Sequence, residues 1–356
     1  MTPALALAER IRDGGDDVLL LGGTRGLEGR LVPEAGFELV ALSTPRFAGA
    51  GRLARLTRLP ELALACLRAW RVLRARGADV VISVGGYASV PAVVAARFRG
   101  IPVALVEPNA MPGRANRLAA RFAARVFLQF PEAETLLGRA PCSVSGAPLR
   151  RALLAKFDGA TAAAAETPRR RPLRLLVFGG SQGARQINDA LIAAGPELAP
   201  EDVEIFHQTG EADLERVRVA YAATSLRAEV VAFEPDMPRR YRWADLAVCR
   251  SGALTLAELT LAGLPSLLVP YPFAADDHQA ANAQALARVG AARVLDESPL
   301  PGERIVEALR EFTSPGGDEI LVEMGRAAAK LARPGAADEI IRACAALCER
   351  REGTSR

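Results

Sequence analysis

Short runs of apolar residues alternate along this chain with longer stretches in which apolar positions recur at helical spacing. Most of the short runs are unbroken Val, Leu and Ile, as expected for parallel strands that are buried on both faces. This alternation predicts an α/β fold with doubly wound parallel sheets. The predicted strands are Asp17–Leu21, Asp79–Val84, Pro102–Val106, Arg125–Leu128, Leu173–Phe178, Val203–His207, Glu229–Phe233, Leu246–Cys249 and Ser266–Val269.

The alternation is interrupted between Phe157 and Pro172, where the sequence FDGATAAAAETPRRRP has no apolar strand pattern. An alanine-rich and then arginine- and proline-rich composition is typical of a linker, which we place at 151–172. The chain is then predicted to form two Rossmann-like domains, 1–150 and 173–335. Because open parallel sheets bind ligands outside the carboxyl ends of their strands, two such sheets are expected to face a cleft.

A last helix is predicted from Ala336 to Glu349, because its apolar residues form one stripe. We expect the segment 336–356 to pack on the first domain.

Composition narrows the class of protein. The length of 356 residues suits two domains. Five cysteines without a CxxC pair, and only two histidines, argue against a structural metal site and favour a reduced compartment. The most apolar segment, Ala253–Ala275, is interrupted by Gly263, Pro265 and Pro270, so no membrane span is predicted.

Two glycine motifs follow predicted strands of the second half. GGSQGARQIN and CRSGALTLAE each place a glycine turn before a helix start, where N–H groups and the helix dipole attract phosphate. Arg250 would add a positive charge, and Glu258 could accept both hydroxyls of a ribose. The alternatives are a tight turn whose glycines serve packing and, for Glu258, a solvated helix face.

A third motif, DDHQAANA, begins at Asp276 and places polar side chains at a helix start. These side chains could bind sugar hydroxyls, or they could only cap the helix. Three such strand ends in one sheet together predict a binding site.

GGSQGARxxN, CRSGALTxxE and DDHQxxNA, in this order and at these spacings, resemble the motifs of the MurG family of bacterial cell-wall glycosyltransferases. The resemblance extends over nearly the whole chain. It implies a GT-B fold of two Rossmann-like domains, with UDP-N-acetylglucosamine held mostly by the second domain. It implies no metal and no other cofactor.

The resemblance also implies contacts for each part of the sugar donor. Ser181 is expected at the diphosphate, Glu258 at the ribose, and the backbone of Glu234 at the uracil. The further positions on the donor side are Arg150, Gln182, Asn188, Arg250, Gly252, Ala253, Leu254, Thr255, His278 and Gln279. The last two are expected to hold the sugar hydroxyls.

Two strand-end loops of the first half carry the implied acceptor site. GGYAS contains Tyr87, and EPNAMPGRANR contains Asn109 and Asn116, for which helix capping is the alternative role. Glu107 is the candidate catalytic base, because the loop histidine usual in the family is absent from this sequence. The family more often has glutamine where this chain has Pro108, which puts the contacts of that glutamine in doubt.

An arginine-rich amphipathic segment lies at 46–76. Leucines and a tryptophan interleave there with arginines, a pattern that suits an anionic bilayer, whereas the alternative is a core helix with a solvated basic face. No nucleic-acid-binding motif accompanies these arginines, so nucleic acid is not a predicted partner. The residues expected at the membrane are Leu64, Leu67, Trp70, Arg71 and Arg74.

The first residues, MTPALALAER, resemble the helix that follows the first glycine loop of the family. We therefore expect that translation starts upstream, before a strand and a GGTGGH-like loop. Loss of a central strand would cost on the order of 10 kcal/mol, which is comparable with the stability of a whole domain. The upstream DNA tests this expectation.

The implied reaction is an inverting transfer of N-acetylglucosamine to the 4-hydroxyl of the muramoyl residue of lipid I, which gives lipid II in peptidoglycan synthesis. The resemblance further implies peripheral binding to the cytoplasmic face of the inner membrane, partners among cell-wall synthesis proteins, and roles in cell shape, the cell cycle and cell division. Two alternatives stay open. One is a catalytically impaired sugar-nucleotide-binding or membrane scaffold protein, and the other is a related transferase with another lipid-linked acceptor.

Overall fold

The structure, a computed structural model, describes residues 2–23, 28–43, 57–157, 172–180 and 183–354. The chain divides into two compact units, of which one comprises Met1–Arg151 with Pro334–Arg356 and the other Ala152–Arg333. Each unit combines helices with parallel β-sheets, which confirms the predicted fold class. Within the described residues, every helix is too short or too polar to cross a bilayer.

The first unit contains a two-stranded sheet, β1–β2, and a four-stranded sheet in the order β3–β4–β5–β6, both parallel. The strands are β1 (Leu20–Gly22), β2 (Leu39–Ala41), β3 (Val81–Ser83), β4 (Val103–Glu107), β5 (Arg125–Leu128) and β6 (Cys142–Val144). The helices are α1 (Thr2–Asp13), α2 (Glu28–Glu34), α3 (Leu59–Ala75), α4 (Val90–Phe98), α5 (Arg114–Ala120) and, at the end of the chain, α14 (Ala336–Thr354).

Strand β4 is buried on both faces, which explains its unbroken apolar sequence. Val103 and Leu105 face one core cluster, which includes residues of α3 and α4. Ala104 and Val106 face another, to which α1 contributes Leu7 and α14 contributes residues at helical spacing. The final helix therefore belongs to the core of the first unit.

The second unit contains one six-stranded parallel sheet in the order β12–β11–β10–β7–β8–β9. The strands are β7 (Leu173–Phe178), β8 (Val203–Gln208), β9 (Arg227–Val231), β10 (Leu246–Cys249), β11 (Ser266–Leu268) and β12 (Ala292–Val294). The helices are α6 (Arg151–Leu154), which starts at the boundary between the units, α7 (Arg185–Ala194), α8 (Leu214–Ala222), α9 (Met237–Trp243), α10 (Ala253–Ala262), α11 (His278–Arg288), α12 (Gly302–Thr313) and α13 (Gly317–Lys330).

Two features differ from the expectations drawn from the sequence. Strands β2, β6 and β12 were not predicted; β6 (CSV) and β12 (ARV) each contain a polar residue and show no continuous apolar run. The segment assigned to the linker begins with helical turns, since Arg151–Leu154 is α-helical and Ala155–Phe157 forms a 3₁₀ turn. Phe157 is buried against Tyr241, with ring centroids 6.2 Å apart. Residues 158–171 lie outside the described residues.

Candidate functional site

A cavity of about 740 Å³ lies in the second unit, at the carboxyl ends of β7 and β10. This is where open parallel sheets bind ligands. Its described lining includes the predicted glycine loop, the start of α10, and the side chains of Arg250 and Gln279. The cavity thus collects parts of all three motifs singled out in the sequence.

The glycine loop connects β7 to α7. Gly180 and Gly183 line the cavity with φ angles of 87° and 74°, which favour glycine. A Cβ atom on Gly183 would lie 1.9 Å from the carbonyl oxygen of Thr209, so only glycine fits there. Helix α7 begins beside the cavity, and its N-cap residue is Ala184, whose methyl side chain cannot cap the helix. Ser181 and Gln182, both predicted to bind the sugar donor, lie outside the described residues.

Arg250 follows β10 and is held by fixed acceptors. Its Nη1 donates to Gln186 Oε1 at 2.9 Å and to the carbonyl oxygens of Val269 and Pro270 at 3.1 and 2.9 Å. The guanidinium also lies 5.3 Å from the ring centroid of Tyr271. Burial lowers the pKa of Arg250 from its usual value, and the positive charge is held in place at the cavity wall.

The start of α10 adds Gly252 and Thr255 to the cavity lining. The N-cap position of this helix is Gly252, which has no side chain, and the predicted residues Ala253 and Leu254 occupy the first turn. One turn further on, Glu258 Oε2 accepts a hydrogen bond of 2.8 Å from the hydroxyl of Tyr241. Burial raises the pKa of Glu258 despite this hydrogen bond.

Glu234 follows β9, where its side chain holds a turn. Its Oε1 accepts from the backbone N–H of Asp236 and its Oε2 from Arg240 Nε, both at 2.7 Å. Burial favours the neutral form, but the hydrogen bonds to Arg240 and Asp236 outweigh it, so the pKa of Glu234 is lowered. The backbone of this turn is the part for which a base contact is predicted.

The third motif forms the start of α11. Gln279 lines the cavity, its Oε1 accepts from the N–H of Tyr271 at 3.0 Å, and its carbonyl oxygen accepts from Ser251 at 2.7 Å. His278 is half-buried at the first position of the helix. Asp276 and Asp277 both adopt positive φ, of 53° and 50°.

Asn188 was predicted to bind the sugar donor, but its side chain is buried beneath the glycine loop. Its Nδ2 donates to the carbonyl oxygen of Thr209 at 3.0 Å and to Asp213 Oδ2 at 2.9 Å, while its Oδ1 lies 3.0 Å from His207 Nε2. All of these partners are protein groups. Asn188 is therefore placed to support the loop and not to contact a ligand in the cavity.

The sequence reasoning did not single out several residues that line the cavity. Gln186 links Arg250 to the backbone, because its Nε2 donates to the carbonyl oxygen of Glu297 at 2.9 Å. Tyr271 and Phe273 form an exposed aromatic pair with centroids 5.7 Å apart. The one available signal was Gln186 within the first glycine motif, while an aromatic pair in a proline-rich loop carries no distinctive pattern.

The predicted acceptor residues lie in the first unit, where Glu107 ends β4. Its carboxylate is 1% exposed. Oε1 accepts from the backbone N–H and Nδ2 of Asn109 at 2.9 and 3.2 Å, and Oε2 accepts from Asn116 Nδ2 at 2.7 Å. Burial raises the pKa of Glu107, although these hydrogen bonds oppose the shift. The described contacts of this carboxylate bind it to its own loop.

Asn116 packs against the other acceptor loop. A Cβ atom on Gly85, whose φ is 89°, would lie 2.9 Å from the amide of Asn116, so glycine is required at this close approach. Within the described residues, Asn116 Oδ1 is buried without a hydrogen-bond partner. Tyr87 follows on the same loop with an exposed ring. Arg150, predicted on the donor side, pairs with Glu9, with 2.9 Å between Arg150 Nε and Glu9 Oε1.

Helix α3 carries the residues predicted to meet a membrane. Leu64 and Leu67 are exposed, as are Arg71 and Arg74. Trp70 is half-buried and packs against the core of the first unit, with the guanidinium groups of Arg74 and Arg99 at 5.7 and 5.4 Å from its ring centroid. Leu59 of α3 and Phe98 at the end of α4 are further exposed apolar residues that the prediction did not include.

Comparisons with known proteins agree over both units. Residues 1–128 match the glycosyltransferase family 28 N-terminal domain, and residues 174–340 match the C-terminal domain of the same family. The chain is 41% identical over 346 residues to the UDP-N-acetylglucosamine–N-acetylmuramyl-(pentapeptide) pyrophosphoryl-undecaprenol N-acetylglucosamine transferase of Myxococcus xanthus. That alignment covers 96% of this chain and 88% of the relative.

A protein of the same name from Syntrophotalea carbinolica is 42% identical, with 97% of this chain and 95% of the relative covered. Among solved structures, MurG of Acinetobacter baumannii superimposes with a TM-score of 0.80 at 30% identity, over 96% of this chain and 95% of that one. This likeness extends to both units and confirms the GT-B fold. The chain therefore belongs to glycosyltransferase family 28, in the group of MurG transferases.

Proposed function

We propose that this chain transfers N-acetylglucosamine from UDP-N-acetylglucosamine to the 4-hydroxyl of the muramoyl residue of lipid I, forming lipid II for peptidoglycan. The observation that carries the proposal is a glycine-lined cavity at the strand ends of a chain that is 41% identical, over nearly its whole length, to a transferase of that activity. The motifs that form the cavity are those on which the resemblance rests.

The cavity suits the diphosphate of the sugar donor. Gly180 and Gly183 allow a close approach of the backbone, and α7 and α10 both begin at the cavity wall, where their N-cap residues are Ala184 and Gly252. Negative charge develops on the departing UDP during an inverting displacement. Helix N-termini and the guanidinium of Arg250, which three hydrogen bonds fix at the cavity wall, would stabilise that charge with little reorganisation.

The remaining donor contacts rest on the resemblance. The carboxylate of Glu258 accepts the ribose hydroxyls, and the hydroxyl of Tyr241 orients it. The backbone at Glu234 binds the uracil, while the Glu234 side chain holds the turn. Gln279 and His278 hold the hydroxyls of the sugar.

For the acceptor side we propose that Glu107 orders its loop and does not remove a proton. A general base must reach the proton that it abstracts, whereas the described contacts of Glu107 join it to Asn109 and Asn116. Asn116 Oδ1 is also buried, without a partner among the described residues, so the acceptor contact expected for Asn116 rests on the resemblance alone. Tyr87 offers an exposed hydroxyl on the neighbouring loop.

We further propose that the first unit rests on the cytoplasmic face of the membrane that carries the lipid acceptor. The exposed leucines of α3 would enter the interface while Arg71 and Arg74 meet anionic headgroups. Each arginine near such a surface contributes about 1 kcal/mol. Roles in cell shape and division would follow from the supply of lipid II. The expected contacts with other cell-wall synthesis proteins rest on the resemblance.

The test is transfer of radiolabelled N-acetylglucosamine from UDP-N-acetylglucosamine to a soluble lipid I analogue, with product identified by mass. The proposal expects a disaccharide product with inverted linkage. A scaffold protein would bind UDP-N-acetylglucosamine in calorimetry and give no product. A transferase for another acceptor would label a lipid extract but leave the lipid I analogue unlabelled.

A further inference from the structure

A buried hydrogen-bond network lies behind the glycine loop of the second unit. His207 and Gln208 end β8, and Thr209 follows them. With Asn188 of α7 and Tyr221 of α8, these residues are at most 4% exposed. Three secondary-structure elements thus meet through side chains that are almost completely buried.

The hydrogen-bond pattern fixes the tautomer of His207. Asn188 Nδ2 faces two acceptors, Thr209 O and Asp213 Oδ2, so the oxygen of the amide must face the imidazole. His207 Nε2, 3.0 Å from that oxygen, must therefore carry hydrogen. Nδ1 then has a lone pair, which accepts from the Tyr221 hydroxyl at 3.0 Å. Burial lowers the pKa of His207 to about 3, in keeping with a neutral ring.

The same segment supports the glycine loop at two points. Gln208 Nε2 donates to the carbonyl oxygen of Gly180 at 3.1 Å and to that of Ala232 at 2.9 Å. Asn188 donates a hydrogen bond to the carbonyl oxygen of Thr209. This oxygen lies so close to Gly183 that a Cβ atom at that position would clash with it. Gly180 and Gly183 are the cavity-lining glycines with positive φ. The position of the loop is therefore set by the end of β8.

A purely apolar core would not require this arrangement. Val203 and Ile205 precede His207 on the same face of β8 and are buried in the main apolar core of the unit. A polar ring at the next position must be desolvated and fully paired, which aliphatic side chains would avoid. The network fixes the relative orientation of its side chains. Each hydrogen bond needs one donor and one acceptor, and only one arrangement satisfies them all.

We propose that His207 is a positioning residue for the sugar donor: through Asn188 and Thr209 it holds the glycine loop in the conformation that receives the diphosphate of a nucleotide sugar. The inference rests on the proposed function and deepens it, since it names what sets the geometry of the phosphate-binding loop. Asn188 acts in the same chain of hydrogen bonds, beneath the loop.

The test compares three full-length variants. His207→Leu removes the hydrogen-bond donor and leaves Asn188 Oδ1 buried and unpaired. His207→Gln keeps an N–H near the place of Nε2. Ile205→Ala is the matched control, since it opens a cavity on the same strand and face without a link to the loop. Dissociation constants for UDP-N-acetylglucosamine come from calorimetry, and kcat and KM from the transfer assay.

For His207→Leu, we expect the dissociation constant and the donor KM to rise about tenfold, or ~1.4 kcal/mol. We expect kcat to change less than about twofold, because the groups at the reacting centre are untouched. His207→Gln should recover most of the affinity, and Ile205→Ala should lower thermal stability while leaving the donor KM near wild type. Equal shifts in the Leu variant and the control, or no rescue by Gln, would overturn the inference.

A second measurement covers the case in which His207→Leu does not fold. The chain has only two histidines, so imidazole ¹⁵N spectra of the whole protein are simple to assign. The network requires the neutral Nε2–H form of His207, and Tyr221→Phe should move its Nδ1 signal and raise the donor KM about threefold. A charged ring, or the other tautomer, contradicts the network itself. A wild-type chain that neither binds nor transfers the sugar overturns the proposed function instead.

Discussion

The hydroxyl of Tyr241 donates a hydrogen bond of 2.8 Å to Glu258 Oε2, from a buried ring that packs against Phe157 and Phe178. Tyr241 lies on α9 and Glu258 on α10, so the bond joins two neighbouring helices of the second unit. One carboxylate oxygen is thereby fixed by the protein, and the orientation of the other is fixed with it.

Removal of that hydroxyl tests whether Glu258 binds the ribose. In Tyr241→Phe the carboxylate loses its orienting donor, at a cost of ~1 kcal/mol, and we expect the KM for UDP-N-acetylglucosamine to rise about fivefold with kcat little changed. Repeating the measurement with a 2′-deoxyribose donor provides the control, because the effect should shrink when one ribose hydroxyl is missing. An undiminished effect with the deoxy donor would assign Glu258 another role.

The pH dependence of donor binding provides a separate test of Glu258. Burial raises the pKa of this carboxyl, so its stronger-accepting charged form is lost at a higher pH than for an exposed glutamate. As pH falls through that raised pKa, we expect the donor KM to increase. Glu258→Gln, which cannot titrate, should show a high KM with no such inflection. A wild-type profile parallel to that of the variant contradicts the prediction.

Arg250 is expected to act on the leaving group. Arg250→Gln removes a positive charge whose position is fixed by Gln186 and two carbonyl groups, and we expect kcat to fall about 10²-fold. Arg185→Gln is the matched control, since Arg185 also lines the cavity, but its side chain is 76% exposed and lies 3.9 Å from Asp189. Steady-state kinetics with both variants should separate them by at least about tenfold.

Glu107→Gln distinguishes a loop-ordering residue from a base. The substituted amide has one oxygen where the carboxylate has two, so one donor from Asn109 or Asn116 loses its partner, and we expect a loss of ~1–3 kcal/mol in the free energy of unfolding. Activity should fall by the same factor at all pH values. Loss of the acidic limb of the kcat/KM profile, with normal thermal stability, would instead identify Glu107 as the base.

Binding to vesicles tests the surface of α3. Leu64→Glu places a charge at a position that is 67% exposed, and we expect it to reduce flotation with phosphatidylglycerol vesicles while the transfer to a soluble acceptor analogue is unchanged. Val219→Glu, at a position 61% exposed in the second unit, is the control and should float as wild type does. Equal losses in both variants would point to net charge as the cause.

Nine of the twelve strands and the glycine motifs could be predicted from the sequence because both depend on local patterns. Buried parallel strands such as β4 are continuous apolar runs, and glycine turns at strand ends mark phosphate sites. Hydrogen bonds between side chains that are distant in the sequence produce no such local pattern. The resemblance placed Asn188 on the donor side, and no local pattern could show its buried partners His207 and Asp213, which lie 19 and 25 residues away in the sequence. The buried state of Glu107 depends likewise on how its loop folds back.

The return of the chain into the first unit has a consequence for how the two halves can be exchanged. Ala152–Arg333 is one uninterrupted stretch, whereas the other unit is assembled from two stretches that meet where Leu7 contacts Ile340. The second unit is thus a continuous segment that two recombination junctions suffice to replace with that of a relative. A deletion that removes α14 would expose the apolar side of β4 that this helix covers, so it should cause aggregation through the first unit.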